Sequence, residues 1–158
     1  MNQQPIIIGH IQQELPAVIE KCPHDKLFVL TDEHTYTWCW PLIHHLEGMT
    51  GALVICIGSG DVSKNLESLS AVWKELGDGG ASRHSLMIHI GGGMVTDLGG
   101  FAASTFKRGI TFINIPTTLL AMVDASVGGK TGINFNGLKN EIGAFSPAKY
   151  VLINTEFL

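Results

Sequence analysis

The sequence predicts an α/β fold built on a mainly parallel, doubly wound sheet flanked by helices, and two observations carry that prediction. Short β-branched and apolar runs recur along the chain, each about the length of one strand, and the stretches between them carry helical spacing. Alternating strands and helices favour parallel pairing with crossover helices on both faces.

Taken in order, Pro5–Ile8 is a short β-branched run closed by Gly9, and 11–21 reads as a brief helix before Pro23. Lys26–Thr31 (KLFVLT) is a strand suited to a sheet covered on both faces, ending in Asp32, Glu33 and His34. A helix is expected over 37–46, its start limited by Pro41. Gly51–Ile57 (GALVICI) reads as a third, buried strand, closed by the turn Gly58-Ser59-Gly60-Asp61. From Ser63 to Leu76 the residues Leu66, Leu69, Val72, Trp73 and Leu76 recur at helical spacing, with Lys64, Glu67, Lys74 and Glu75 off that stripe. Leu86–Ile90 (LMIHI) is a fourth strand running into Gly91-Gly92-Gly93, and 94–106 is a helix, apolar almost all round, that belongs in the interior. Thr111–Ile115 (TFINI) is a fifth strand, with Pro116 placed to open a helix over 117–127. Beyond Gly129 the pattern loosens to a strand over 131–135, a loop, and a strand over 150–153.

The 158 residues fit one domain, large enough to bury a core without staples. Charged residues make up 15% of the chain, well under the roughly 25% of a typical soluble domain, so either part of the surface is covered by something else or the chain is poorly soluble alone. A net charge of -4 with no Lys/Arg cluster along the sequence argues against nucleic acid. No apolar run is long enough to span a membrane, and MNQQPIII has neither the basic region nor the cleavage site of a secretory leader, which reads as cytoplasmic. Cys22, Cys39 and Cys56 lack C-x-x-C spacing and read as buried thiols, not a disulfide framework or zinc site. The histidines are scattered, apart from the adjacent His44 and His45, which would project about 100 degrees apart on a helix and so form no metal site.

Open α/β sheets bind ligands at the carboxyl ends of their strands. The residues placed there are Asp32 and Glu33, then 58–64, then 91–97, then Thr117 and Thr118. Glycine turns leading into helices let phosphates approach backbone N–H groups, while a carboxylate after a strand can accept ribose hydroxyls, and together these suggest a dinucleotide. GGGMVT departs from the G-x-G-x-x-G fingerprint because Thr96 stands in place of its third glycine. GGKT at 128–131 ends like a P-loop, yet Asp124 stands where that pattern needs glycine and would repel a phosphate. What remains is an acid, Asp124, and an amine, Lys130, across a glycine pair in an otherwise apolar segment. They form either a structural ion pair or a hydroxyl-binding acid beside a phosphate-binding amine.

From Lys26 to Leu158, and most densely over IGGGMVTDLGGFAASTFKRGITFINIPTTLLAMVDASVGGKTGIN, the chain resembles the N-terminal, Rossmann-like NAD-binding half of the 3-dehydroquinate synthases, within the sugar-phosphate cyclase superfamily. The resemblance implies one NAD-binding domain over 1–158 of a carbon-oxygen lyase of the shikimate pathway. That pathway serves aromatic amino acid biosynthesis, and the family's enzymes turn 3-deoxy-D-arabino-heptulosonate 7-phosphate into 3-dehydroquinate and phosphate with NAD and zinc or cobalt. It implies Asp32 and His34 near the adenosine ribose, Asp61 and Lys64 along the nucleotide, Gly92, Gly93 and Met94 at the pyrophosphate, and Asp97 at the nicotinamide ribose. Thr117 and Thr118 would lie on the adenine side, with Lys139 also lining the NAD site. Asp124, Lys130 and Asn140 would sit where cofactor meets substrate, and Arg108 would reach the substrate phosphate across a homodimer contact. His34, the SGDVSK turn and Ala125 depart from the residues usual in that family.

In the family the metal ligands lie in a C-terminal helical domain, absent from these 158 residues, so the chain alone is expected to be inactive. Other readings are a cyclase acting on another sugar phosphate, a polyol dehydrogenase of the glycerol dehydrogenase type, and a non-catalytic NAD-binding module.

Overall fold

A computed structural model describes residues 4–125 and 128–157, apart from the side chains of 124, 125 and 155. The strands are β1 (Ile6–Ile8), β2 (Leu27–Asp32), β3 (Leu53–Ile57), β4 (Leu86–Gly91), β5 (Thr111–Pro116), β6 (Lys130–Phe135), β7 (Leu138–Phe145) and β8 (Tyr150–Ile153). The helices are α1 (Ile11–Glu20), α2 (Glu33–Trp38), α3 (Trp40–Ile43), α4 (Leu66–Asp78) and α5 (Gly93–Thr105). Six strands form one sheet in the order β1-β8-β5-β4-β2-β3, every pair parallel.

Period-two alternation sends successive strand side chains to opposite faces. Phe28, Leu30, Met87 and Phe112 therefore join Leu69, Val72 and Leu76 of α4 and Val95, Leu98 and Phe101 of α5 on one face. Leu27, Val29, Ile88, Ile90, Ile113 and Ile115 pack with Ile11, Leu15 and Val18 of α1 and Ile43 of α3 on the other. The sheet is covered on both sides, as the apolar runs predict. The chain leaves β2 toward β3 by helices on one face and leaves β4 toward β5 by α5 on the other, so the ends of β2 and β4 mark the crevice where such sheets take ligands.

Several boundaries differ from expectation for identifiable reasons. The helix expected over 37–46 is two helices, because Asp32 starts α2 early by accepting Thr35 N–H at 2.8 Å while Pro41 fits only the first turn of α3. Strand β3 is a sheet edge with Leu53 exposed, not a buried strand. In α4, Asn65 caps the first turn by accepting Ser68 N–H at 2.9 Å, which leaves Ser63 and Lys64 in the preceding turn and Leu66 exposed. The helix expected over 117–127 is helical from Leu119 and widens into a π-helical turn at Ala121–Ala125, while 126–127 lie outside the described residues.

The loop expected after Phe135 is instead β7, paired antiparallel with β6 in a separate two-stranded ribbon. Asn136 (φ 54°) and Gly137 (φ 76°) make its two-residue turn, the Asn-Gly pairing that such hairpins favour.

Candidate functional site

A cleft of about 890 Å³ opens beside the N-terminus of α5, lined by Asp61, Lys64, Gly93, Met94, Asp97 and, from the ribbon and its approach, Gly128, Lys130–Gly132, Asn140 and Gly143–Phe145, with Leu120 at its edge. Three segments far apart in sequence supply its polar wall. Lys64 is 4% exposed, and its ammonium donates to Asp97 Oδ2 at 2.7 Å and to Asn140 Oδ1. An ammonium only donates, so its contact fixes which end of the Asn140 carboxamide faces it and leaves the NH2 as that side chain's donor. Removing the Asp97 carboxylate would leave this desolvated ammonium without its counter-charge.

Asn134 fastens this wall, a part that nothing in the sequence pattern assigns to it. Its N–H donates to Lys64 O at 2.8 Å, its Nδ2 to Asp61 Oδ2 at 3.0 Å, and its Oδ1 accepts Asn140 N–H at 2.9 Å. The ribbon is thereby clamped to the turn before α4. Asn140 itself holds φ 53°, a left-handed conformation that asparagine tolerates better than most residues and that concentrates at functional sites.

The glycine run positions the other wall. A side chain at Gly91 would strike Val95 Cγ2 at 2.5 Å, so the chain passes tightly from β4 into α5. A Cβ at Gly92 would lie 3.0 Å from Thr118 Cγ2, and Thr117 N–H donates to Gly91 O at 2.9 Å. Thr117 and Thr118 thus back the glycine turn. Helices α2 and α4 both fill their first turn with a side-chain acceptor, whereas α5 begins at Gly92 with no side-chain cap, and its residues Gly93 and Met94 face the cleft.

The structure therefore brings together Asp61, Lys64, Gly93, Met94, Asp97, Lys130 and Asn140, with Lys139 beside them, 3.6 Å from Asp61. Asp32 and His34 stand at the end of β2 without lining the cleft, and Asp32 Oδ1 serves as the α2 cap. Arg108 is elsewhere. It follows the far end of α5, about 20 Å along a helix of 13 residues, and lines a separate pocket. The side chain of Asp124 lies outside the described residues, so neither reading of its pairing with Lys130 is resolved there. Two of the residues lining the cleft, Leu120 and Phe145, are large apolar side chains left exposed.

Among the described residues no group of three His, Cys, Asp or Glu side chains is placed to hold a metal ion, and no helix is long and apolar enough to cross a membrane.

A family model described as 3-dehydroquinate synthase N-terminal matches residues 54–158. A curated 3-dehydroquinate synthase from Parabacteroides distasonis is 49% identical over 159 aligned residues, covering 100% of this chain and 45% of the relative. Among solved structures, a 2-epi-5-epi-valiolone synthase from Streptomyces hygroscopicus with NAD+ and Zn2+ bound superposes with a TM-score of 0.82 at 27% identity, covering 99% of this chain and 44% of that one. A 2-deoxy-scyllo-inosose synthase shares the fold with a TM-score of 0.85 at 23% identity, covering 99% and 47%. The chain thus spans less than half the length of each of these relatives.

Proposed function

The chain belongs to the family described as 3-dehydroquinate synthase N-terminal, and on that premise we propose that residues 1–158 are the NAD-binding domain of a 3-dehydroquinate synthase. The whole enzyme, in this reading, is a cytoplasmic homodimer that turns 3-deoxy-D-arabino-heptulosonate 7-phosphate into 3-dehydroquinate and phosphate. The 49% identity to a 3-dehydroquinate synthase, against 27% and 23% to two other cyclases, supports that substrate over another sugar phosphate.

The observation that carries the cofactor assignment is the open N-terminus of α5 in the same cleft as Asp97 and the buried Lys64. Unpaired N–H groups and the positive end of the helix dipole suit a pyrophosphate, and the glycines let it approach the backbone. NAD, when bound, supplies a hydride acceptor that is restored within each turnover. The protein's own part is positional. Asp97, on the first turns of α5, accepts a ribose hydroxyl while Lys64 holds its carboxylate in place. Lys130 presents a cation to the anionic substrate, and the Asn140 NH2 donates beside it. Asp124 is assigned to the substrate hydroxyls by the family resemblance alone. Asp32 and His34 border the crevice on the adenosine side, with Thr117 and Thr118 supporting the glycine turn under the nucleotide. Arg108, at the far end of α5, reaches the phosphate of substrate held by a second copy of the chain. The described residues hold no group of three ligands for zinc or cobalt, and this reading assigns no metal ligand to them.

Calorimetric titration of the 158-residue chain with NAD tests the assignment. Saturable binding is expected, and Asp97→Asn should weaken it by roughly tenfold to a hundredfold, the worth of one hydrogen bond to a charged acceptor. No heat through millimolar NAD would sink the nucleotide reading. Unchanged affinity in Asp97→Asn would remove Asp97 from the ribose.

A further inference from the structure

Of the asparagines in the sequence, only Asn136 is followed by glycine. The fold sets it at the tip of the ribbon, between Asn134 and Asn140, the residues whose contacts fasten the ribbon to the cleft wall. Asn136 and Gly137 are both exposed, and among the described residues the Asn136 carboxamide has no hydrogen-bond partner. A Cβ built at Gly137 would meet nothing within 4 Å, so the flank of that residue is open. Strand β6 ends at Phe135 and β7 begins at Leu138, which leaves the Gly137 N–H outside the ladder.

We infer that Asn136 is a site of spontaneous deamidation, and that its isoaspartyl product loosens the clamp between the ribbon and the cleft wall. The Gly137 nitrogen attacks Asn136 Cγ and forms the new bond of a five-membered succinimide. The Cγ–Nδ2 bond breaks, the proton of the attacking N–H passes to Nδ2, and ammonia leaves. Glycine favours this step because it brings no side chain to crowd the ring. Water then adds to one of the two ring carbonyls. Opening at the Cγ–N bond gives aspartate in the original backbone, whereas opening at the bond to the backbone carbonyl gives isoaspartate, whose main chain runs through Cβ and Cγ. Water is the only co-reactant.

The two products act differently on the fold. Aspartate keeps the turn, since Asp-Gly is also a favoured hairpin pair. Isoaspartate adds a carbon to the backbone of a two-residue turn, and turn length fixes hairpin register. Asn140, on the strand that leaves the turn, then shifts against Asn134, on the strand that enters it. Their contact, Asn140 N–H to Asn134 Oδ1 at 2.9 Å, joins the two strands directly and is the first to be lost. With it goes the hold on Asn140 in its left-handed conformation, and so the aim of the Oδ1 that Lys64 donates to. The folded turn also paces the chemistry. Asn136 is held at φ 54°, and the planar ring closes only when the tip opens, so the folded chain reacts more slowly than the free segment. Any effect on NAD rests on the proposed function, whereas the modification and the loosened clamp do not.

Incubation of the 158-residue chain at pH 8.5 and 37 °C, followed by tryptic mass spectrometry, tests the inference. The peptide 131–139 should gain the mass difference between NH and O, with fragmentation placing isoaspartate at Asn136 and leaving Asn134 intact. Hydrogen exchange then reads the clamp without any ligand. The N–H groups of Asn134 and Asn140 should exchange roughly tenfold faster in the aged chain than in the fresh one, about the protection that one hydrogen bond gives. Asn136→Gly, whose Gly-Gly pair suits the same turn and has no carboxamide, should neither gain mass nor change its exchange on ageing. Fresh Asn136→Asp should exchange like fresh wild type, which separates the lengthened backbone from the added charge. Absence of the mass gain at Asn136 in the folded chain, or equal exchange in aged and fresh wild type, overturns the inference. NAD titration is a separate arm. Binding weakened by roughly tenfold in aged wild type, and unchanged in aged Asn136→Gly, carries the effect to the cofactor. No NAD binding by the fresh chain counts against the nucleotide reading and leaves the mass and exchange results standing.

Discussion

At the scale of single residues, the fold shows which polar groups are spent on structure. Asp32, placed by sequence reasoning at a ribose, is first of all a helix cap, so any ligand role there is shared with folding. His89 is wholly structural. It is fully buried beside Phe112, its Nδ1 3.0 Å from Asn114 Oδ1, with Gly99 so close that a Cβ there would lie 2.8 Å from the ring. Burial pushes the imidazole down to about 4, only partly opposed by the Asn114 contact. Because this folded value lies below the unfolded one, the unfolded chain takes up the extra proton. The stability contributed by neutral His89 is therefore complete above about pH 6.5 and is lost as pH falls from there toward 4. The full loss is on the order of 3 kcal/mol, roughly 2 of which should be gone by pH 5. Urea melts of wild type and His89→Gln at pH 7 and pH 5 check this. The wild type should lose that much more stability than the variant, and parallel pH profiles would exclude His89 as the source.

At the scale of elements, the six-stranded sheet was legible because all six of its strands carry apolar or β-branched runs and its turns carry glycine. The ribbon was only half legible. Strand β7 (LKNEIGAF) is exposed along almost its whole length, so it has no buried face to impose alternation, and only the Asn136-Gly137 pair announces it. Its support is also hidden in the sequence, because it depends on two glycines meeting Thr131 from opposite sides. A Cβ at Gly100 of α5 would lie 2.4 Å from Thr131 Cγ2, and one at Gly143 only 2.0 Å from Thr131 O. Thr131 cannot turn aside freely, since its hydroxyl donates to Ala144 O at 2.8 Å. Gly100→Ala sets two effects against each other. Helix propensity alone would stabilise α5 by about 1 kcal/mol. Overpacking against a tethered side chain costs about 1–3 kcal/mol, and more where backbone must shift, so a net loss of stability and of NAD affinity is expected as the ribbon lifts from α5. A raised melting temperature with unchanged NAD binding would show that the ribbon does not depend on this close approach.

At the scale of the whole molecule, the sequence singled out the charged residues that line the cleft, Asp61, Lys64, Asp97 and Lys130, but not their partners. Lys64, Asp97 and Asn140 belong to three crossovers of the sheet, and no local pattern announces that one buried ammonium binds both others. Such a site is assembled only when the fold is complete, so occupancy and global stability are linked. In the proposed reading NAD would span the turn before α4, the start of α5 and the ribbon, and the unfolded chain offers no equivalent of that arrangement. NAD at 100 times its dissociation constant should then stabilise the fold by about 2.7 kcal/mol. For a chain of this size that is a rise in melting temperature of roughly 5–10 °C. The same NAD concentration should move Asp97→Asn far less, because its weaker binding leaves less free energy to couple to folding. A binding signal in calorimetry with no thermal shift would mean that NAD also binds the unfolded chain or a locally formed segment. In that case the cleft built from these three distant segments would not be its site.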